Sequence, residues 1–363
     1  MKEKIMEKKR TVRFDKYNSQ AMKGIAILLM MFHHMYLEKS RFEPYNVSFA
    51  PFTADKIMYI ARTFKICVPI YAFITGYGLY LSYKNNTSTS VRWTGKRLMK
   101  TMSGFWIIWL FSVVFFLVWN GYTITRYCRS GNKAVDLAGV VIDFLGLSKL
   151  LGTPTLNGTW WYMSAAIIFI ICVPLFMKQE ENLILILVAV AALPRVLSLN
   201  VMGRSGIYAF LPALLMGMCV SKYDLFNRWF QVWNHGGKKI IKFLLEFLLV
   251  FILYKAYRFL PLKSYSELHW GIYPVVFIAA CCEFIVVIPG IRQTLHFLGK
   301  HSMNIFLLHT FVRQRSFVYV GGHFILNTMI LLLVTLAVSI VLEWFKKISG
   351  YNRLIQNISA KIG

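Results

Sequence analysis

Residues 22–36 read MKGIAILLMMFHHMY: a lysine and a glycine, an unbroken apolar run, then two adjacent histidines. From Lys23 to His34 is about three helical turns and roughly 16 Å of rise, which returns almost to the same helix face. The two residues therefore share one polar stripe on an otherwise apolar helix, while His33 is turned roughly 100° away. Such a stripe faces a cavity or a partner helix. Two readings of His34 stand at this point: a hydrogen bond to a neighbouring helix, or a working group, because ionisable residues inside membrane spans are costly and tend to be functional. His33 is read as structural.

The rest of the chain places this run in a membrane. Of 363 residues, 57% are hydrophobic and 15% charged, against about 25% charged in soluble domains. Apolar runs lie near 22–37, 57–81, 103–120, 158–177, 183–200, 206–221, 243–260, 269–289, 303–320 and 324–345. Most approach the roughly 20 residues that cross a bilayer core. The expected fold is all-α, a polytopic integral membrane protein with about ten transmembrane helices. The formal net charge of +26 punctuates the apolar runs instead of lining one face. It therefore signals topology, not a nucleic-acid surface, and the distribution of Lys and Arg puts both termini in the cytoplasm.

No cleavable signal peptide is expected, since the start is long, polar and basic and the first apolar run lacks a small-residue cleavage site. The expected organisation is a basic cytoplasmic segment 1–21, a single membrane domain 22–345 and a cytoplasmic tail 346–363. Segment 134–152, with Asp136 and Asp143, is expected to form an amphipathic or re-entrant piece of a long loop. The six cysteines show neither a disulfide framework nor metal-ligand spacing, so they read as packing residues and no metal is expected.

Other polar groups in or beside the spans are weighed in the same way. Arg62 and Lys65 share a face at a span end, where snorkelling is the plain reading. Glu283, in FIAACCEFIVVIP, needs either a proton or a cation from another helix. His309 and Arg313 are four apart and share a face, which suggests an aqueous pocket. Trp161 and its neighbour Trp160 fit an interfacial aromatic belt. In GKRLMK, just before the third run, Arg97 and Lys100 are three apart with Lys96 beside them. Together with Lys23 on the same membrane face, this cluster can hold several phosphates.

The ordered set of motifs resembles the acyltransferase 3 family, membrane proteins of about ten helices that typically move an acyl group from acyl-CoA to an envelope sugar. The family's first helix carries an arginine, ten residues and a histidine, matched here by Lys23 and His34. VPIYAFITGYGLYL resembles its second-helix pattern, with Thr75-Gly76 in place of Ser-Gly. GKRLMK resembles its basic segment, GTWWYMSAAIIFIICVPLF its tryptophan-led fourth segment, and HSMNIFLLHTFV its late histidine stretch. There are departures. Lysine replaces the motif arginine, Ala166 stands where some members have a glutamate, and no appended esterase-like domain is seen.

The resemblance implies an acyl-CoA-dependent O-acyltransferase in a bacterial plasma membrane, with acetyl-CoA as the donor substrate and no permanently bound cofactor. The implied acceptor is a hydroxyl of a cell-envelope polysaccharide or a lipid-linked glycan precursor; the implied partners are the bilayer, acyl-CoA and that glycan, with no nucleic acid. It gives His34 the role of base or acyl carrier, and Lys23, Arg97 and Lys100 the donor phosphates. Backbone amides at a Thr75-Gly76 turn, or His309, are the candidate oxyanion donors; Arg313, Glu283 and Trp161 complete the expected pocket. The alternative is a transporter or flippase for an anionic or lipid-linked small molecule, using Arg62, Lys65, His309 and Arg313. Against it, the chain shows no inverted repeat and no paired broken helices.

Overall fold

A computed structural model describes residues 12–197, 206–259 and 266–362. Helix α1 spans Lys16–Tyr36; α2, Ala54–Thr63, passes through a 3₁₀ turn at Phe64–Ile66 into α3, Cys67–Lys84; α4 spans Ser90–Asn120. Three short helices follow: α5 Tyr122–Tyr127, α6 Lys133–Phe144 and α7 Ser148–Leu151. Next come α8 Trp161–Met177, α9 Leu183–Val196, α10 Gly206–Ala209, α11 Leu211–Lys222 and α12 Leu225–Gln231. The last five are α13 Gly236–Phe259, α14 Ser266–Phe284, α15 Ile291–Arg313, α16 Phe324–Ile348 and α17 Tyr351–Lys361.

No strand occurs among the described residues; one backbone bridge pairs Ser48 with His323. Four stretches, Ala54–Lys84, Ser90–Val118, Gly158–Met177 and Phe324–Ile348, are long and apolar enough to cross a bilayer. A fifth qualifies if Ile207–Lys222 and Leu225–Gln231, bent by 63°, are taken as one. On α13 and α16, Leu244, Phe247, Leu333 and Val341 are each more than half exposed. Apolar surface on that scale is stable only against lipid or a partner.

Several boundaries differ from the expectation for local reasons. Helix α1 starts at Lys16, not near residue 22, because the Asp15 carboxylate accepts the Asn18 amide at 2.7 Å and caps the polar first turn. The second run is interrupted at Phe64–Ile66. The sixth is broken at Phe210, whose backbone leaves the helical region before Pro212. Segment 134–152 folds as α6 and α7, with Leu137, Val141, Leu150 and Leu151 exposed and Asp143 turned inward. Residues 198–200 of the fifth run and residue 260 of the seventh lie outside the described residues.

Two close helix pairs organise the core. Helices α1 and α15 meet at Gly24 and Gly299, where an added Cβ would lie 2.1 Å from the Leu295 carbonyl oxygen and 1.8 Å from that of Gln20. Helices α3 and α11 meet at Gly76 and Gly217, where a Cβ would lie 1.9 Å from the Leu214 oxygen and 2.1 Å from the Phe73 oxygen. Missing side chains let the backbones touch, the usual device for dense packing between helices in lipid. Gly76 is thus a packing residue inside a continuous helix. This corrects the expected Thr75-Gly76 turn, because an amide inside a helix is committed to its own ladder.

Glu283 also has a definite place. Both of its carboxylate oxygens lie 2.7–2.8 Å from the Lys242 ammonium on α13, which further donates to the Trp229 carbonyl at 2.7 Å. Trp229 in turn donates its indole N–H to Glu246. Lys242 and Glu283 are 1% and 2% exposed, so removing one partner strands a buried charge. Glu283→Ala is expected to lower stability by about 3–5 kcal/mol, and a Lys242→Met/Glu283→Leu double substitution to recover most of the loss. Unfolding midpoints in one lipid mixture check this; equal destabilisation by the single and double changes would show that the pair is not what holds α13 to α14. Outside the spans, Glu180 joins the α8–α9 turn to α3, and hydrogen bonds from Lys84 and then Tyr80 hold its carboxyl below the ordinary value of 4.5.

Candidate active site

Along α1, Lys23 and His34 are half-buried, whereas their immediate neighbours Met22, Gly24, His33 and Met35 are buried. The two polar ends of the stripe are thus less tightly packed than their neighbours, while Ile27 and Met30 between them on the same face are buried. His33 points elsewhere and donates Nδ1–H to the Ala61 carbonyl at 2.6 Å, which ties α1 to α2.

At the upper end of the stripe His34 meets His309 of α15, with ring centroids 4.8 Å apart. The two are neighbours because the Gly24–Gly299 contact brings α1 and α15 together with their chain directions parallel. Hydrogen bonds define the tautomers. His309 donates Nδ1–H to the Phe306 carbonyl at 2.7 Å, leaving the lone pair on Nε2, 3.3 Å from the Thr310 hydroxyl. Arg41 donates to the His34 carbonyl at 2.7 Å and reaches its Nδ1 at 3.3 Å. A guanidinium only donates, so Nδ1 carries the lone pair and the His34 proton sits on Nε2. One imidazole presents a basic nitrogen and the other an N–H.

Arg313, one turn beyond His309, lies within electrostatic reach of both histidines and of Arg41. Its Nε is buried without a hydrogen-bond partner. Two guanidiniums beside two neutral imidazoles favour negative charge developing at this point. Sequence reading did not identify Arg41. It lies beyond the end of α1, and only the 3₁₀ turn Lys39–Arg41 folds it back over His34.

The loop before α8 docks onto α15 beside His309. Trp160 Nε1 and Asn157 Nδ2 donate to the Leu307 carbonyl at 2.9 and 3.2 Å, and the Thr159 hydroxyl is 3.4 Å from that of Thr310. Trp161 lines a cavity of about 580 Å³ with Phe105, Ser148, Thr155 and Asp143. Asp143 is 1% exposed and accepts from Trp109 at 3.2 Å, Ser148 at 2.8 Å, the Leu156 amide at 3.3 Å and the Tyr127 hydroxyl. With that many donors it holds the loop in place. Thr75 sits beside the Tyr162 ring hydroxyl. Glu283 does not join this constellation, and Arg62 donates to the Leu37 carbonyl at 3.3 Å, closing the end of α1.

At the lower end of the stripe the cations gather. Lys23 interacts electrostatically with Lys100, and Lys100 with Arg97 and Lys16. Arg97 stacks over Trp93, its guanidinium carbon 5.8 Å from the ring centre, and both residues donate to the Ser82 hydroxyl. Lys96, Arg97 and Lys100 line a second cavity of about 520 Å³. Such a cluster suits charge-assisted hydrogen bonds to an anion.

The structure is thus an apolar helical bundle with an imidazole pair at one end of a stripe on its first helix and a cationic cavity at the other. The chain belongs to the acyltransferase 3 family: that family's acyltransferase domain matches residues 16–344, nearly the whole length. Neither a curated protein nor a solved structure shows significant similarity to it. It is a membrane acyltransferase.

Proposed function

We propose that the protein is a ten-span O-acyltransferase of the bacterial plasma membrane, a single membrane domain over 22–345 with both termini cytoplasmic. It moves an acetyl group from cytoplasmic acyl-CoA to a hydroxyl of a cell-envelope polysaccharide or lipid-linked glycan precursor. One observation carries this reading: the Lys23–Lys100–Arg97 cluster and the His34–His309 pair lie at the two half-buried ends of one helix face, about 16 Å apart. That span matches an extended pantetheine arm, with phosphates at one end and the thioester at the other.

In the proposed reaction the acceptor oxygen attacks the thioester carbon while its proton passes to His309 Nε2. The tetrahedral oxyanion is held by the His34 Nε2–H and the Arg313 guanidinium. Collapse breaks the carbon–sulfur bond, and the departing thiolate takes the proton from His309. The products are the acyl ester and free CoA. His34 thus works as the electrophilic partner of His309, a division argued from the Arg41 contact and different from the base or acyl-carrier role implied by the resemblance.

Purified protein in lipid, given labelled acetyl-CoA with and without an envelope extract, is expected to release CoA in an acceptor-stimulated way. If neither acetyl-CoA nor longer acyl-CoA is bound or cleaved, the transport reading replaces this one. Arg97→Ala/Lys100→Ala is expected to raise KM for acyl-CoA by about 10–100-fold with a smaller change in kcat, since phosphate contacts far from the thioester act mainly on binding. An equal fall in kcat at unchanged KM would remove the cluster from donor binding.

A further inference from the structure

The carboxy-terminal helix lies beyond the region matched to the family, and nothing in the mechanism above uses it. Helix α16 ends at Ile348, and Gly350, in the left-handed region at φ 72°, turns the chain sharply into α17. Tyr351, Ile355, Ser359 and Ile362 are half-buried and fall at helical spacing on one face, while Leu354 and Ile358 are exposed. The half-buried face packs on α4: the Tyr351 hydroxyl donates to the Ser103 carbonyl at 2.7 Å, and Ile362 lies against Gly95, where an added Cβ would be 3.1 Å from it.

This placement closes the cationic cavity. One wall is Lys96, Arg97 and Lys100; a second is the Asn85–Thr87 loop; α17 adds Ile355, Gln356 and Ser359. No carboxylate is among the lining residues. The volume of about 520 Å³ falls in the roughly 300–1,000 Å³ range of small-molecule sites. Cations on one side and amides and hydroxyls on the other suit a ligand with phosphates at one edge and a hydrogen-bonding heteroaromatic ring and ribose at the other. Amide side chains both donate and accept, as the edge of a nucleobase requires.

We propose that α17 is the closing wall of a nucleotide pocket and that Gln356 and Ser359 recognise the 3′-phospho-ADP end of the acyl-CoA donor. The inference rests on the acyl-CoA reading above. It makes donor recognition depend on a segment outside the membrane bundle, while the reaction centre stays within it.

The test is equilibrium binding of CoA to full-length protein in lipid nanodiscs, comparing wild type, Gln356→Ala/Ser359→Ala and Tyr351→Phe, with S-acetylpantetheine as a probe lacking the nucleotide. The double variant is expected to bind CoA about tenfold more weakly, the size of one or two lost hydrogen bonds, and Tyr351→Phe to weaken it in the same direction by loosening α17. The loss is expected to be confined to the nucleotide-bearing probe. CoA affinity within twofold of wild type in both variants would overturn the role of α17 while leaving the donor assignment standing. An equal loss for both probes would show that α17 only supports the fold, which also overturns the proposal. Absence of CoA binding by the wild type would sink the donor reading itself, and this inference with it.

Discussion

His34→Ala is expected to lower acyl transfer by about 10²–10³-fold while leaving the protein folded, because the residue is only half-buried and the loss removes the N–H assigned to the oxyanion. His309→Ala should do the same to the rate. It should also loosen α15 slightly, since His309 is fully buried and its Nδ1–H satisfies the Phe306 carbonyl. The informative comparison is with glutamine. Glutamine keeps an N–H donor but has no basic nitrogen. His34→Gln is therefore expected to retain more activity than His34→Ala, whereas His309→Gln should be as inactive as His309→Ala. CoA release under saturating acyl-CoA measures all four. If His34→Gln proved as inactive as His34→Ala and His309→Gln stayed active, the basic nitrogen would belong to His34 and the tautomers assigned from the Arg41 and Phe306 contacts would be reversed.

Gly299→Ala is expected to damage both stability and rate. Its Cβ would enter the space of the Gln20 carbonyl, a backbone atom that cannot rotate away, so α1 and α15 must separate. Overpacking of this kind costs at least about 1–3 kcal/mol. The separation also displaces His34 from His309, because each rides on one of the two helices. A misplacement of roughly 1 Å at a reaction centre can cost 10²-fold. Gly78→Ala, at an exposed helical glycine with nothing within 4 Å of an added Cβ, is the matched control. It should be neutral or mildly stabilising, since alanine is the better helix former. Thermal unfolding and CoA release in the same lipid decide the matter; Gly299→Ala indistinguishable from Gly78→Ala on both would mean that the α1–α15 contact does not set the site.

Much of this protein can be read from its residues in order. Apolar runs of near-spanning length make an all-helical membrane chain the only economical solution, because every backbone group must find its partner within the segment. The Lys23–His34 stripe and the Arg97–Lys100 cluster follow from a period of 3.6 residues, a purely local rule. The order of the short motifs is enough to mark the family. Other features are invisible at that level. His34 and His309 are far apart in the chain, and which histidine on which helix faces the other depends on where two glycines allow backbones to touch. Arg41 reaches His34 only because the chain tightens after Leu37. Glu283 required a cation that spacing could not name, and it proved to be Lys242 on α13. Thr75-Gly76 looked like a turn and is helix interior, since the glycine serves α11 rather than a bend. Sequence by itself determined the membrane bundle and the polar line along its first helix, because bonding within a helix and helical periodicity act between near neighbours. Only the tertiary structure decided which groups meet at the two ends of that line, because close approach between helices depends on the shapes of both surfaces at once.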